Sequence, residues 1–483
     1  MPIRAFCRAA PIAAALALAG CGAEEGGPIA VSAIGGPPRL VNPNLQPLDS
    51  PSAFLTEAVA QGLVRFDSSG EIEPALAQSW IVSDDGLSYT FRIRRASWAD
   101  GSPVTAQQVA ARLRAALSRA SRNPLKPVLG AIGDVVAMTD FVLVISLRGP
   151  RPNFLQLLAQ PELAILQGGA GTGPYRLRSS EAGRVRLSPI RAEDEEAEAG
   201  GPDLVLRGES GALAIARFGA GETELVVGGS AGDLPLARAA GLPANRLVFD
   251  PVGGMFGLAF TGGTGPLADP AVRRALAMAL DRDGLAAAFA VPRLATRTGL
   301  VAPGVQELPA PAQPDWAAAP LDARRALAAQ AIAALGLEAP IRLRVAMPDG
   351  PGYRLAFAYL RRDWRMIGVE AEPAAPGTPA DLVLIDQVAP ANLATWYLRH
   401  FTCDASAICD PAADQALLAA RLAPNPAERH LKLAEADRIL TALVPFIPLT
   451  APVRWSLVAP RLTGFRPNAF ARHPAVVLIA ERQ

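Results

Sequence analysis

Several groups of residues in this 483-residue chain have types and spacings that could do chemistry. Asp386 ends the apolar run 382–385, which reads as a strand. Ligands of open α/β sheets collect beyond the carboxyl ends of strands, so a carboxylate there could hold a cation. The structural alternative is that Asp386 caps a helix starting near Pro390. Gly228-Gly229-Ser230-Ala231-Gly232 matches G-x-S-x-G after the strand-like run 224–227. A hydrolase elbow needs that strand, a following helix, and later acid and histidine partners, an order that Asp386 and His473 formally meet. In a chain with 43 glycines the same match also arises from composition. Cys403 and Cys409 form a C-x5-C pair beside His400, Asp404 and Asp410. That spacing fits none of the usual zinc patterns, and His430 and His473 are remote in sequence, so a disulfide is the expectation and a metal site the alternative. The run at Gly169 lacks the lysine of a phosphate loop. No cofactor is expected.

These residues need elements to hold them. Residues 88–93 alternate into a short strand after the turn Asp84-Asp85-Gly86, and Thr105 opens a helix with Gln108 completing a capping box. Trp80 and Trp98 read as core fillers. Residues 141–147 form an apolar strand, and Asp269 caps a helix with Pro270 in its first turn. Downstream, strands at 341–346, 369–372 and 381–385 alternate with helices at 322–335 and 353–367. That alternation predicts an α/β fold with mixed sheets flanked by helices. The Pro/Ala-rich stretch 305–320 and the acidic run 193–198 read as surface loops.

Half of the residues are apolar (50%) and the formal charge is +1, which argues against a nucleic-acid-binding stripe and against a disordered tail. At the front, Arg4 and Arg8 precede the apolar stretch 9–18, which is too short to span a bilayer as a mature helix. Residues 1–20 therefore read as an export signal. Leu18-Ala19-Gly20-Cys21 resembles the bacterial lipobox, which implies cleavage before Cys21, acylation of its thiol and a membrane anchor; a plain secretory peptide is the alternative. With Cys7 removed and Cys21 acylated, Cys403 and Cys409 remain, in an oxidising compartment.

The run from Pro74, PALAQSWIVSDDGLSYTFRIRRASWADGSPVTAQQVAARL, resembles the signature stretch of the family 5 extracellular solute-binding proteins. GTGPY at Gly171, DPAVRRALAMALDRDGL at Asp269, VPFIPL at Val444 and LTGF at Leu462 extend the resemblance over nearly the whole mature chain. It departs from the family in lacking an Asn-x-x-Tyr-Trp element after GTGPY and in carrying Thr261 where Asn is common. The resemblance implies a two-lobed, hinged periplasmic-binding-protein-like fold of type II with an extra subdomain. Lobe I would take residues 21–45, 168–253 and 455–483, the subdomain 46–167, and lobe II 254–454. It also implies a monomeric lipoprotein of the periplasm or cell envelope that captures di- and oligopeptides for the permease and ATPase subunits of an ABC importer, with no catalysis. A nickel chelate, haem, an opine or an oligosaccharide as ligand, a sensor role, and more remotely a serine hydrolase at Ser230 stay open. DQVAPANL resembles the family's D-Y-x-x-P-x-x-F/L element, with Asp386 and Pro390 in the matching places and Gln387 replacing the usual Tyr. In the family this aspartate takes the ligand's α-ammonium group. Trp396 and Tyr397 could line a pocket beside it or fill core. Arg39 falls where the family passes an extended strand along the cleft, and could face a carboxylate or solvent.

Overall fold

The computed structural model describes residues 27–190, 202–375 and 377–478, so the signal, Cys21 and the acidic run 193–198 lie outside the described residues. Two mixed sheets carry the architecture. The larger has seven strands, in the order Tyr175–Glu181, Arg184–Pro189, Leu204–Glu209, Ile29–Ile34, Leu225–Ser230, Arg454–Val458 and Leu247–Phe249. Ile29–Ile34 lies parallel to both its neighbours. It is mostly buried, in keeping with its nearly unbroken apolar run IAVSAI. Helix Ser50–Val59, capped by the Asp49 side chain, buries Phe54, Leu55 and Ala58 with Ile29, Val31 and Leu206 of this sheet. This helix, placed with the subdomain 46–167 in the sequence, shares the core of the seven-stranded sheet.

The second sheet has five strands, in the order Val369–Pro373, Ile341–Ala346, Leu382–Val388, Gly254–Phe260 and Phe446–Thr450. Helices Pro270–Met278 and Pro351–Arg365 contribute to its core, the first capped by Asp269 as its sequence predicts. The strand expected to stop at Ile385 runs on to Val388, because Asp386, Gln387 and Val388 stay in register with Phe256, Met255 and Gly254. Asp386 is therefore a strand residue. The capping alternative is excluded, since the next helix, Ala394–Leu398, has Leu393 at its N-cap.

A third, antiparallel sheet orders Ala77–Val82, Ser88–Ile93, Val142–Leu147 and Ile132–Thr139. Thr105 and Gln108 form the predicted capping box on helix Ala106–Leu117, and Gln108 also accepts a hydrogen bond from the Trp98 indole at 2.9 Å. One apolar core runs from this sheet into helices Ala394–Leu398 and Pro426–Leu443, so the third sheet and the second lobe are not divided by separate cores. The loop 305–320 is tied down at Glu307, which receives two Arg429 hydrogen bonds at 2.9 and 2.7 Å.

The chain crosses between the two large sheets twice. Residues 250–253 lead from Leu247–Phe249 to Gly254–Phe260, and residues 451–453 lead from Phe446–Thr450 back to Arg454–Val458. The Asp250 N–H donates to the Arg454 carbonyl at 3.0 Å, joining the two crossings. Cys403 and Cys409 are linked by a disulfide with Cα atoms 5.0 Å apart. Their neighbours serve other ends. Asp410 caps helix Pro411–Leu422, and the His400 ring nitrogens face the Trp396 carbonyl and the Gln387 amide. Mass spectrometry of the unreduced folded protein should find Cys403 joined to Cys409, and reduction should lower stability by about 2 kcal/mol. Two free thiols in the native protein would contradict this pairing.

Candidate functional site

A cavity of about 790 Å³ opens where the crossings meet. That volume falls within the roughly 300–1,000 Å³ typical of small-ligand sites. The end of strand Leu225–Ser230 and the start of Arg454–Val458 form one side of it. The end of Leu382–Val388, the loop to Pro390 and Trp396 form the other. This second side is fixed from the third sheet's neighbourhood: the Gln160 amide donates to the Pro390 carbonyl at 2.6 Å, and the Asn153 amide to the Asn392 carbonyl at 2.7 Å.

Asp386 lies in the wall with its carboxylate already engaged. Arg454 Nη1 donates to Asp386 Oδ1 at 2.7 Å, Arg454 Nη2 donates to the Asp386 carbonyl at 3.0 Å, and the Tyr353 hydroxyl donates to Asp386 Oδ2 at 2.8 Å. The Asp386 side chain is 6% exposed and that of Arg454 17%, so the pair is largely shielded from water. Burial and the adjacent carboxylate push the Tyr353 phenol well above its ordinary range, which keeps its proton available as a donor. The chain of contacts ends at Ser230, whose Oγ lies 3.2 Å from the Tyr353 oxygen.

This network corrects the hydrolase alternative. Ser230 Oγ also accepts from the Gly232 N–H, whereas His473 Nε2 lies 3.2 Å from Asp250, so serine, histidine and Asp386 do not assemble as a triad. The glycines of the motif have packing reasons. Gly228 has φ +81° and sits against Ser50, and a side chain at Gly229 would collide with the Trp455 indole.

The far wall comes from the C-terminal segment. Phe470 stacks on Phe66 with ring centroids 4.5 Å apart, and the Asn468 N–H donates to Asp250 at 2.9 Å. Arg472 then reaches Glu57 at 3.8 Å and Glu162 at 3.6 Å. Burial raises the pKa of the Glu57 carboxyl, with Arg472 opposing it. Across the cavity stands Arg399, in the helical turn Arg399–Phe401; its Nε is buried without a hydrogen-bond acceptor.

Of the residues singled out in the sequence, Asp386 and Trp396 reach the cavity wall, and so do Ser230, His400 and His473. Tyr397 does not. It is 2% exposed, and burial pushes its phenol up to about 12. Arg39 is an exposed residue away from the cavity, where its backbone N–H donates to Ser52. Sequence reading missed Arg454, Tyr353, Arg399 and Arg472. A usable signal existed for Arg454 alone: it is the one charge inside the mostly apolar run 451–458.

Two sheet-based lobes joined by two crossings, with a chamber where the crossings meet, define the class of two-lobed solute-binding proteins. Solved structures agree on the fold. Haemophilus influenzae OppA complexed with RPPGFSPFR superposes with a TM-score of 0.79 at 18% identity, covering 92% of this chain and 97% of that one. The Escherichia coli murein tripeptide binding protein MppA gives 0.80 at 20% identity over 93% and 97%. NikZ from Campylobacter jejuni with Ni(L-His) gives 0.73 at 20% identity over 91% and 96%. Among curated relatives, the nickel-binding periplasmic protein of Escherichia coli strain K12 is 29% identical over 160 residues, which is 30% of this chain and 29% of that protein. The glutathione-binding protein GsiB of Escherichia coli O1:K1 is 32% identical over 151 residues, 28% of this chain and 29% of its own. The aligned part thus spans less than a third of those relatives' length. A family model for bacterial extracellular solute-binding proteins, family 5 middle region, matches residues 71–387. The chain belongs to that family.

Replacing Asp386 by Asn should leave the fold intact but weaken it by about 1.5–3 kcal/mol, because the Arg454 guanidinium loses its charged partner. Denaturant unfolding of Asp386→Asn beside the parent measures this, and an unchanged midpoint would show that the pair is idle.

Proposed function

We propose that the protein captures di- to oligopeptides in the cavity between its lobes and presents the closed form to the permease and ATPase subunits of an ABC importer. The carrying observation is the chamber at the two crossings, sized for a small ligand and walled by groups of both charge signs. Extended backbone on both sides can satisfy a peptide's amides as in strand addition, while side chains occupy hydrated space. Closure of the lobes over the ligand would create the surface a transporter reads, so that binding and signalling share one equilibrium. Acylation at Cys21 would hold the protein, as a monomer, at a membrane in the periplasm. A non-peptide solute is the second reading, favoured by the engagement of Asp386 inside the protein: an incoming α-ammonium would have to share that carboxylate with Arg454 and Tyr353.

A thermal melt of the purified mature domain against peptide pools tests this reading. At a hundredfold excess over Kd a ligand adds about 2.7 kcal/mol to stability, enough for a clear rise in melting temperature. A rise with sugars or metal chelates, and none with any peptide pool, would move the assignment to the second reading.

A further inference from the structure

The cavity's acids and bases pair off unevenly. Asp386 is held by Arg454, Asp250 by His473, and Glu57 and Glu162 share Arg472. Arg399 pairs with no carboxylate among the described residues, although it lines the cavity and its Nε is shut away from water.

The surroundings of Arg399 sharpen this imbalance. Behind it lies a small pocket of about 30 Å³ whose walls also include Arg151, Arg421 and Arg429. Glu307 pairs with Arg429. Arg421 donates to the Gly130 carbonyl at 2.5 Å and Arg151 to the Pro150 carbonyl at 2.7 Å, neutral acceptors that leave both charges uncompensated. The crowding shows in Arg151, whose pKa is pushed down to about 10 by burial first and then by Arg429. Four guanidinium groups around one carboxylate set a positive potential on this wall, and a shielded site strengthens it.

From this arrangement we infer that the cavity recognises its solute through a carboxylate docked on Arg399, and that Arg454 stands permanently where a ligand cation would otherwise meet Asp386. A guanidinium presents parallel N–H donors to a carboxylate and gains from charge assistance. An ammonium approaching Asp386 meets a carboxylate whose charge Arg454 has already balanced, so the amino end of a solute contributes little. The inference rests on the reading of this cavity as the ligand site, and it narrows the ligand to carboxylate-bearing solutes, peptide or not.

The test compares pooled tripeptides as free acids, as C-terminal amides and as N-acetyl derivatives, with melting shift and calorimetry on the parent protein and on Arg399→Gln. Amidation should weaken binding roughly tenfold to a hundredfold, and acetylation should change it little. Arg399→Gln should abolish the preference for acid over amide while holding or raising the unliganded melting temperature, since a charge leaves a crowded positive cluster. A second panel sets small hydroxy acids and sugar acids against their methyl esters. Binding in that panel alone, lost in Arg399→Gln, would retire the peptide reading and keep the role of Arg399. Loss of affinity on acetylation with none on amidation, binding confined to uncharged solutes, or an acid preference that survives in Arg399→Gln would each overturn the inference.

Discussion

A carboxylate drawn out of water at the seam between two lobes needs a cation, and Arg454 supplies it. Arg454 begins the strand that enters the seven-stranded sheet, while Asp386 belongs to the five-stranded one, so their contact binds the sheets where the backbone passes between them. Pairs of this kind add little net stability compared with apolar packing, but they fix one arrangement because either partner alone is costly. Tyr353 and Ser230 extend the arrangement to the helix Pro351–Arg365 and to the strand Leu225–Ser230. This side of the chamber is held by that short chain of polar contacts, and most of the charges lining the chamber are already paired.

What was legible in the sequence had its cause nearby. The capping box at Thr105 and Gln108, the Asp269 cap ahead of Pro270 and the alternating strand Ser88–Ile93 are each decided within a few residues, and each stands where the pattern puts it. Strand Leu382–Val388 reads short in the sequence because Asp386 and Gln387 break its apolar run; a ladder to Met255 and Phe256, settled by tertiary pairing, carries it further. Helix Ser50–Val59 has no reading from the sequence, and which sheet it covers depends on contacts with strands up to Leu225–Ser230 and beyond.

The site was legible by half. A resemblance located Asp386, and neighbouring aromatics were natural candidates, yet adjacent residues on one short helix face different ways: Trp396 meets the cavity and Tyr397 the core. The partner that changes the meaning of Asp386 lies 68 positions away. No local spacing announces it. The glycine-rich motif at Ser230 misleads for a related reason, since its glycines answer to Ser50 and the Trp455 indole, neither of them near in sequence.

The wall formed by residues 468–473 has a consequence for how the chamber is tied to the rest of the molecule. One oxygen of Asp250 accepts from the Asn468 N–H and the other meets His473, while Arg472 reaches Glu57 on the helix Ser50–Val59. Asp250 itself lies on one of the two crossings. A change in the path of residues 250–253 would therefore be felt directly at this face of the chamber, without passing through either sheet.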